Sequence, residues 1–294
     1  TIVGCRRTLE IIHSNLKTKT LEPLANPKNL DIKDIPIKKD LIPGQPNAFS
    51  GSASFTWLTK ATELVLENNA RALVTAPIAK HAWYSAGHQY PGQTERLGEL
   101  TNTTQASMLF TAISPKSGWR MNTLLATTHI PLAEVPNQLN EKLILQKLNI
   151  LSNFCKQFTK KPRILVAGLN PHSGEKGHLG LEEIKWLIPL LKKWAMHHPN
   201  VILNGPISPD TCWISTAKAW EKGPSINTPD AVLALYHDQG LIPTKLLAFD
   251  EAVNTTLGLP FIRTSPDHRT GFDIAGQGCA SPNSMLAAIQ TAWE

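Results

Sequence analysis

The chain has 294 residues, 41% of them apolar, with a formal net charge of +6 and a pI near 9.1. This composition excludes a disordered chain, and the length suits two lobes or one large α/β unit rather than one small core. The lysines are scattered and not interleaved with aromatics, which argues against a single-strand nucleic-acid binder and fits a cleft that attracts anionic small molecules.

Residues 1–15 predict a weak strand and then a helix-like stretch on Leu9, Ile11 and Ile12. Residues 19–49 are rich in Pro, Asn, Asp and Lys, and the alternation of Ile32, Ile35 and Ile37 predicts one or two edge strands among loops. Ser50, Ser52 or Ser54 can cap a helix whose Phe55, Leu58, Ala61, Leu64 and Val65 recur at helical spacing. A strand is predicted at 70–76, ended by Pro77, and a loop at 84–98 carries Gly92-Gln93-Thr94-Glu95. Strands near 106–112 and at 122–128 precede a helix over about 138–159. A strand at 163–167 leads to a helix at 181–196, which Pro189 should kink. Strands at 200–204 and 231–236 and a last helix at 284–293 complete the pattern. Such alternation predicts an α/β fold with a mostly parallel sheet.

Cys5, Cys155, Cys212 and Cys279 lie far apart with no Cys-x-x-Cys pair. They suggest neither a thiolate zinc site nor a disulfide framework, and reduced thiols imply a cytoplasmic protein. No apolar run reaches the length of a membrane span, and no signal-peptide pattern opens the chain.

Three predicted strands run into a histidine at the same end. His129 follows 122–128, His172 lies in the loop after 163–167, and His237 follows 231–236, with Asp238, Gln239 and Gly240 behind it. In a parallel sheet, ligands bind beyond the carboxyl ends of the strands. Imidazole suits zinc, cobalt, iron or nickel, and three protein ligands with one open position is the catalytic pattern. Lys245, Asn254 and Arg263 follow in a stretch rich in Gly and Pro. They offer an ammonium, an amide and a guanidinium of the kind that hold phosphate and carboxylate oxygens. Arg263 sits beside Phe261 and Ile262, an apolar setting in which a charge needs a partner. Gly276 and Gly278 give a weak phosphate-loop signal. The G-x-G-x-x-G, G-x-S-x-G and H-E-x-x-H patterns are all absent.

Four motifs together resemble one family. Thr127-Thr128-His129-Ile130-Pro131-Leu132, Gly168-Leu169-Asn170-Pro171-His172-Ser173-Gly174-Glu175, Tyr236-His237-Asp238-Gln239-Gly240 and 254–265 (Asn254 to Ser265) closely resemble the 4-hydroxythreonine-4-phosphate dehydrogenases of vitamin B6 biosynthesis. The likeness runs from about residue 70 to the C-terminus. It implies a two-lobed isocitrate/isopropylmalate dehydrogenase-like fold with the active-site cleft between the lobes. One lobe, on the cofactor side, is drawn at 1–95 plus 232–294. A central lobe with metal ligands and dimer contacts is drawn at 96–231.

The resemblance implies that His129, His172 and His237 bind one divalent metal (zinc, magnesium or cobalt), with His237 reaching the partner subunit's site in a homodimer. It places Gln93, Thr94, Lys245, Asn254 and Arg263 on substrate-binding positions. It also makes the loop holding Asp267, His268, Asp273 and Gly276 similar to a nucleotide loop that takes NAD or NADP. The implied reaction oxidises 4-phosphooxy-L-threonine to 2-amino-3-oxo-4-phosphooxybutanoate, which loses carbon dioxide to give 3-amino-2-oxopropyl phosphate. The general base is open between Asp238 and a metal-bound water.

Three departures bear on this reading. Gln93 replaces the histidine of the family's G-H-T-E motif, and an amide cannot carry a proton. Arg269 replaces the glycine of D-H-G-T, where it could meet a 2′-phosphate or lie in solvent. The family's opening strand and Gly-rich turn have no counterpart. Two alternatives therefore stand beside the main expectation: a related metal-dependent dehydrogenase of a sugar-acid 4-phosphate, and a shortened, catalytically impaired homologue.

Overall fold

In the computed structural model, which describes Thr1–Glu294, the chain opens with β1 (Ile2–Gly4), α1 (Arg6–Leu16) and β2 (Ile32–Asp34). The two strands pair in parallel with Ile2 opposite Ile32. Pro36, Pro43 and Pro46 lack N–H donors, and no further strand forms before α2 (Ala48–Leu66). Asn47, not one of the serines, caps α2. Its side chain accepts from the N–H groups of Phe49 and Ser50, and the Ser50 hydroxyl accepts from the Asn47 N–H. Extended dihedrals at Asn47 make it the residue from which a reciprocal cap can be built.

Next come β3 (Ala72–Val74), α3 (Lys80–Ser85) and α4 (Gln93–Leu100). The expected loop at 84–98 is therefore bounded by two short helices, and Gly92 is the N-cap of the second. Each is too short for a hydrophobic period to show in the sequence. A methyl group at Gly51 would lie 2.0 Å from the Ala82 carbonyl oxygen, so glycine is what lets α2 and α3 approach. Leu58, Leu73, Trp83 and Leu97 form the core here.

A second unit holds β4 (Ser107–Ile113), β5 (Arg120–Leu125), α5 (Val135–Gln138), α6 (Glu141–Cys155), β6 (Arg163–Ala167), α7 (Ile188–His197), β7 (Ile202–Ile207), α8 (Ile214–Lys222), β8 (Ala231–Ala234), α9 (His237–Ala248) and β9 (Val253–Leu257). Its strands run in the order β9-β4-β5-β8-β6-β7. The β5-β8, β8-β6 and β6-β7 pairs are parallel, whereas β4 is antiparallel to both β5 and β9. The turn between β4 and β5 is too short for the crossover that a parallel pair requires. Asn140 caps α6 by accepting from the Leu143 N–H, and Ile144, Leu148 and Leu151 bury its apolar face against Leu124, Ile164 and Leu233. The kink expected at Pro189 is a π-helical turn, Glu183–Leu187, leading into α7. Pro189 then lies in the first turn of α7, where a missing N–H costs little.

Lys147 also sits on the buried side of α6, its ammonium donating to the Ser107 hydroxyl at 2.8 Å. Burial pulls its pKa down from 10.5 to about 8. Between those values the unfolded chain binds the proton more readily than the folded one. Stability from this residue therefore rises with pH across that window, and below it the buried charge is a net cost. Lys147→Met is expected to raise the unfolding free energy at pH 7 by about 1–3 kcal/mol. The gain should shrink as pH rises from 8 toward 10.5, which denaturant titration at both ends of the window checks.

The chain then returns to the first unit through β10 (Ile262–Pro266) and α10 (Asn283–Trp293). β10 pairs in parallel with β3, Arg263 opposite Leu73, and the Thr264 hydroxyl donates to the Ala288 carbonyl at 2.8 Å. The units are Thr1–Ala106 with Leu259–Glu294, and Ser107–Gly258. The boundaries expected at 95/96 and 231/232 move accordingly. α4 runs to Leu100, and its Leu97 joins the core of the first unit. β8 pairs with β5 and β6, and β9 pairs with β4, so 232–258 belongs to the second unit. No helix is long and apolar enough to cross a membrane.

Candidate active site

Within the second unit, β5, β8 and β6 are neighbours, and each carries a predicted histidine just past its carboxyl end. Buried polar side chains tie these ends together. The Thr127 hydroxyl donates to the Leu235 carbonyl at 2.8 Å. Gln239 accepts from the Leu235 N–H at 2.7 Å and donates to the Gly168 carbonyl at 2.6 Å. Glu183, fully buried, accepts from the Leu169 and Asn170 N–H groups and from the Asn170 side chain. Thr127, Gln239 and Glu183 thereby each have partners, and the loops are fixed relative to the sheet.

The loop that carries His172 is unusual. His172, Ser173, Gly174, Glu175 and Lys176 all take left-handed dihedrals, with φ of 51°, 50°, 81°, 44° and 56°. L-residues resist that region by about 1–2 kcal/mol each, so the surrounding contacts must hold the turn in place.

The structure brings the rings of His129 and His237 to 5.5 Å between centroids, inclined at 47°. Two imidazoles on one tetrahedral ion, each nitrogen about 2.0–2.1 Å from it, stand roughly 5 Å apart. His237 Nδ1 contacts Asp238 Oδ1 at 2.7 Å, and His172 Nδ1 contacts Glu175 Oε2 at 2.7 Å. An ionised carboxylate has no proton to give, so Nδ1 carries it in both rings and each Nε2 presents a lone pair. This donor chemistry fits a divalent cation. No group of three or more His, Cys, Asp or Glu side chains positioned for a metal forms within one chain; two of the three expected rings meet. They are His129 and His237 of the same chain, not His129 and His172, the pair that a His237 reaching the partner subunit's site would leave together. The second oxygen partner, Glu175, was not singled out in the sequence, nor were Thr127, Glu183 and Gln239 as fasteners.

Lys245, Asn254 and Arg263, expected in one Gly/Pro-rich stretch, fall on three elements: α9, β9 and β10. Lys245 has its ammonium 5.8 Å from the centre of the Phe249 ring. The Asn254 Oδ1 atom is buried without a hydrogen-bond partner.

In the first unit, Arg263 is buried, and desolvation lowers its pKa to about 10, opposed by the nearby Glu95 charge. Its guanidinium donates to the Thr75 hydroxyl at 2.8 Å and to Gln93 Oε1 at 3.0 Å. Gln93 Nε2 donates in turn to the Ala76 carbonyl at 2.8 Å. Thr94 stands in the first turn of α4, where Gly92 supplies no side-chain cap. Uncapped first-turn N–H groups beside a buried guanidinium suit a phosphate.

The segment with Asp267, His268, Asp273 and Gly276 forms successive turns, with Gly271, Gly276 and Gly278 at positive φ. His268 Nδ1 lies 2.7 Å from the Arg269 carbonyl. Lys19, in the turn just past α1, reaches across to the Gly276 carbonyl at 2.8 Å. Beside them is a cavity of about 270 Å³ lined by Ile12, Asn15, Leu16, Lys19, Pro43, Ala275 and Gly276. The contribution of α1 was not foreseen, because nothing in residues 12–19 announces a ligand.

The fold defines the class. Isocitrate dehydrogenase from Methylococcus capsulatus superposes with a TM-score of 0.51 at 13% identity, covering 99% of this chain and 83% of that one; at that identity the likeness is one of fold. The family model of the pyridoxal phosphate biosynthetic protein PdxA matches residues 2–292. The 4-hydroxythreonine-4-phosphate dehydrogenase of Synechococcus sp. (strain RCC307) is 57% identical over 294 residues, spanning 100% of this chain and 90% of the relative. The crystal structure of 4-hydroxythreonine-4-phosphate dehydrogenase from Klebsiella pneumoniae gives a TM-score of 0.81 at 38% identity, covering 99% and 86%. The chain belongs to the PdxA family of 4-hydroxythreonine-4-phosphate dehydrogenases.

Proposed function

We propose that this chain is a metal-dependent NAD(P) dehydrogenase that oxidises 4-phosphooxy-L-threonine in vitamin B6 biosynthesis, within the cytoplasm and as a homodimer. The observation that carries the reading is the His129–His237 pair at the ends of β5 and β8, with His237 oriented by Asp238. His129, His172 and His237 would hold the metal. The resemblance has His237 reach the partner subunit's site, whereas the 5.5 Å pair sets it beside His129 of its own chain; in either arrangement the set is completed across the subunit contact. A divalent metal bound there supplies Lewis-acid polarisation of the hydroxyl to be oxidised. The turns over 267–276 would hold a nicotinamide nucleotide, which would supply the hydride acceptor.

The chain's own residues do the rest. Asp238 and Glu175 fix the tautomers of His237 and His172 and raise the basicity of the free nitrogens. With an oxygen committed to His237, Asp238 is an orienting group in this reading, and the proton acceptor is a solvent-derived base. Arg263, the first-turn N–H groups of α4 and Thr94 take the phosphate as paired acceptor oxygens. Lys245 and Asn254 take the carboxylate and amino end, so that the secondary alcohol is held in one orientation.

The test is a spectrophotometric assay at the reduced-nicotinamide band with 4-phosphooxy-L-threonine, NAD and NADP, with and without a chelator. Substrate- and metal-dependent absorbance growth is expected. No growth with either nucleotide across the divalent metals would refute the reading.

A further inference from the structure

We infer that the second unit holds a further ligand site, away from the histidines, which takes a phosphate monoester carrying a small apolar body. The inference does not lean on the function proposed above. β7 and β8 both run parallel to β6, so α8, which joins them, must run back against the strands. Its first turn lies near the carboxyl ends, where the histidines are, and Lys222 in its last turn lies near the amino ends. A cavity of about 950 Å³ opens beside it, large enough for a small-molecule ligand. Leu165, Leu203 and Ile207 of β6 and β7 give it an apolar lining. Lys218 and Lys222 line it from α8, and Ser225 and Thr228 line it from the segment before β8.

Nothing in the lining offsets the two ammonium charges, for no acid is among its residues. The acids closest in sequence are engaged elsewhere. Glu221 meets Lys116 at 2.6 Å, Asp230 accepts from the Arg163 N–H at 2.6 Å, and Asp210 accepts from the Ser208 hydroxyl. Cys212 also lines the cavity, but burial pushes its thiol up to about 12, so it adds no negative charge. Lys222 stands in the last turn of α8, where a cation answers the helix dipole. That does not account for Lys218, which sets a like charge four residues earlier on the same face, a local cost. A bound dianion turns the repulsion into attraction. The Thr228 hydroxyl accepts from the Ser225 N–H at 2.8 Å and lies 3.2 Å from the Ser225 hydroxyl. Two hydroxyl protons serve one mutual bond, so one remains to be donated outward. Two ammonium groups and that hydroxyl match the three terminal oxygens of a phosphate monoester, whereas a carboxylate offers two oxygens and a single charge.

The test is calorimetry with phenyl phosphate on Arg263→Met, which lacks the phosphate anchor proposed for the catalytic site. Saturable binding is expected there. The amide NMR signals of Gly223, Asn227 and Thr228 should shift with it, while those of His172 and His237 stay in place. Changing Lys218→Gln and Lys222→Gln together should weaken the binding at least about 10-fold, the low end for losing one hydrogen bond to a charged group. The same loss should appear at those three amides when the two lysine changes are made in the wild type. Inorganic phosphate should bind more weakly than phenyl phosphate, because it cannot use the apolar lining. Thermal melting without ligand should not differ between the lysine variant and its parent, which keeps a loss of binding from being a loss of fold. No binding to Arg263→Met would overturn the inference, and that is also the result if a second copy of the chain covers the cavity. Undiminished affinity after removal of both lysines would overturn it as well. A failed dehydrogenase assay would refute the proposed function alone, since none of these measurements reads turnover.

Discussion

Replacing Arg263 with Met is expected to leave a folded protein that no longer recognises phosphate. The guanidinium is buried, with its pKa lowered to about 10 by desolvation, so its charge is held in place at a cost in stability. A Met of similar reach removes that cost while leaving Thr75 and Gln93 two acceptors short of a donor. These opposed changes should keep the melting temperature within a few degrees of the wild type. Binding should respond quite differently. Loss of one charged partner in a buried, hydrogen-bonded pair costs about 2–5 kcal/mol, which is a fall of roughly 30- to several-thousand-fold in kcat/KM. Thermal melting alongside steady-state kinetics checks both halves. A variant that folds and still turns over within a few-fold of the wild type would remove Arg263 from the site.

The second large effect concerns the histidine pair. His129→Ala or His237→Ala takes one of two imidazoles that stand 5.5 Å apart. Losing a mere outer partner of a metal ligand typically costs 10- to 100-fold in affinity, so losing a ligand should cost at least about 100-fold. Both side chains are at the ends of strands, outside the cores, and the fold should survive. Asp238→Asn should be milder: an amide can still take the Nδ1 proton but supports the ring less strongly. Titration with zinc or cobalt, read by calorimetry on the dialysed protein, separates these cases without any assay of turnover. Equal metal affinity in wild type and His237→Ala would exclude that ring as a ligand.

Much of this arrangement is legible in the sequence. The buried strands announce themselves as β-branched, apolar runs, and a histidine right after such a run can only lie at the sheet end. Arg263 directly after the apolar Phe261 and Ile262 is a similar signal, since a charge there must find acceptors. What stayed hidden has a common cause. Gln239 bonds to Gly168 71 residues away, and Arg263 to Gln93 170 away; contacts that long leave no local pattern. α9 was missed because Pro243 inside it reads as a breaker. The serines near residue 50 drew attention from Asn47, whose extended backbone alone made it the cap. The helix bounds around Gln93 hid behind a run of Gly and Tyr, so the residue was expected on a loop, not at a helix start.

The left-handed run at 172–176 carries a consequence for heat inactivation. Those residues are held in that handedness by the grip of Glu183 on Leu169 and Asn170 and by the Ser173 hydroxyl on the Pro206 carbonyl, so thermal agitation should release this small coil well before the sheet beneath it gives way. If His172 is a ligand of the proposed metal, warming would then weaken metal binding, and with it turnover, several degrees short of the melting point. That lapse should reverse fully on cooling.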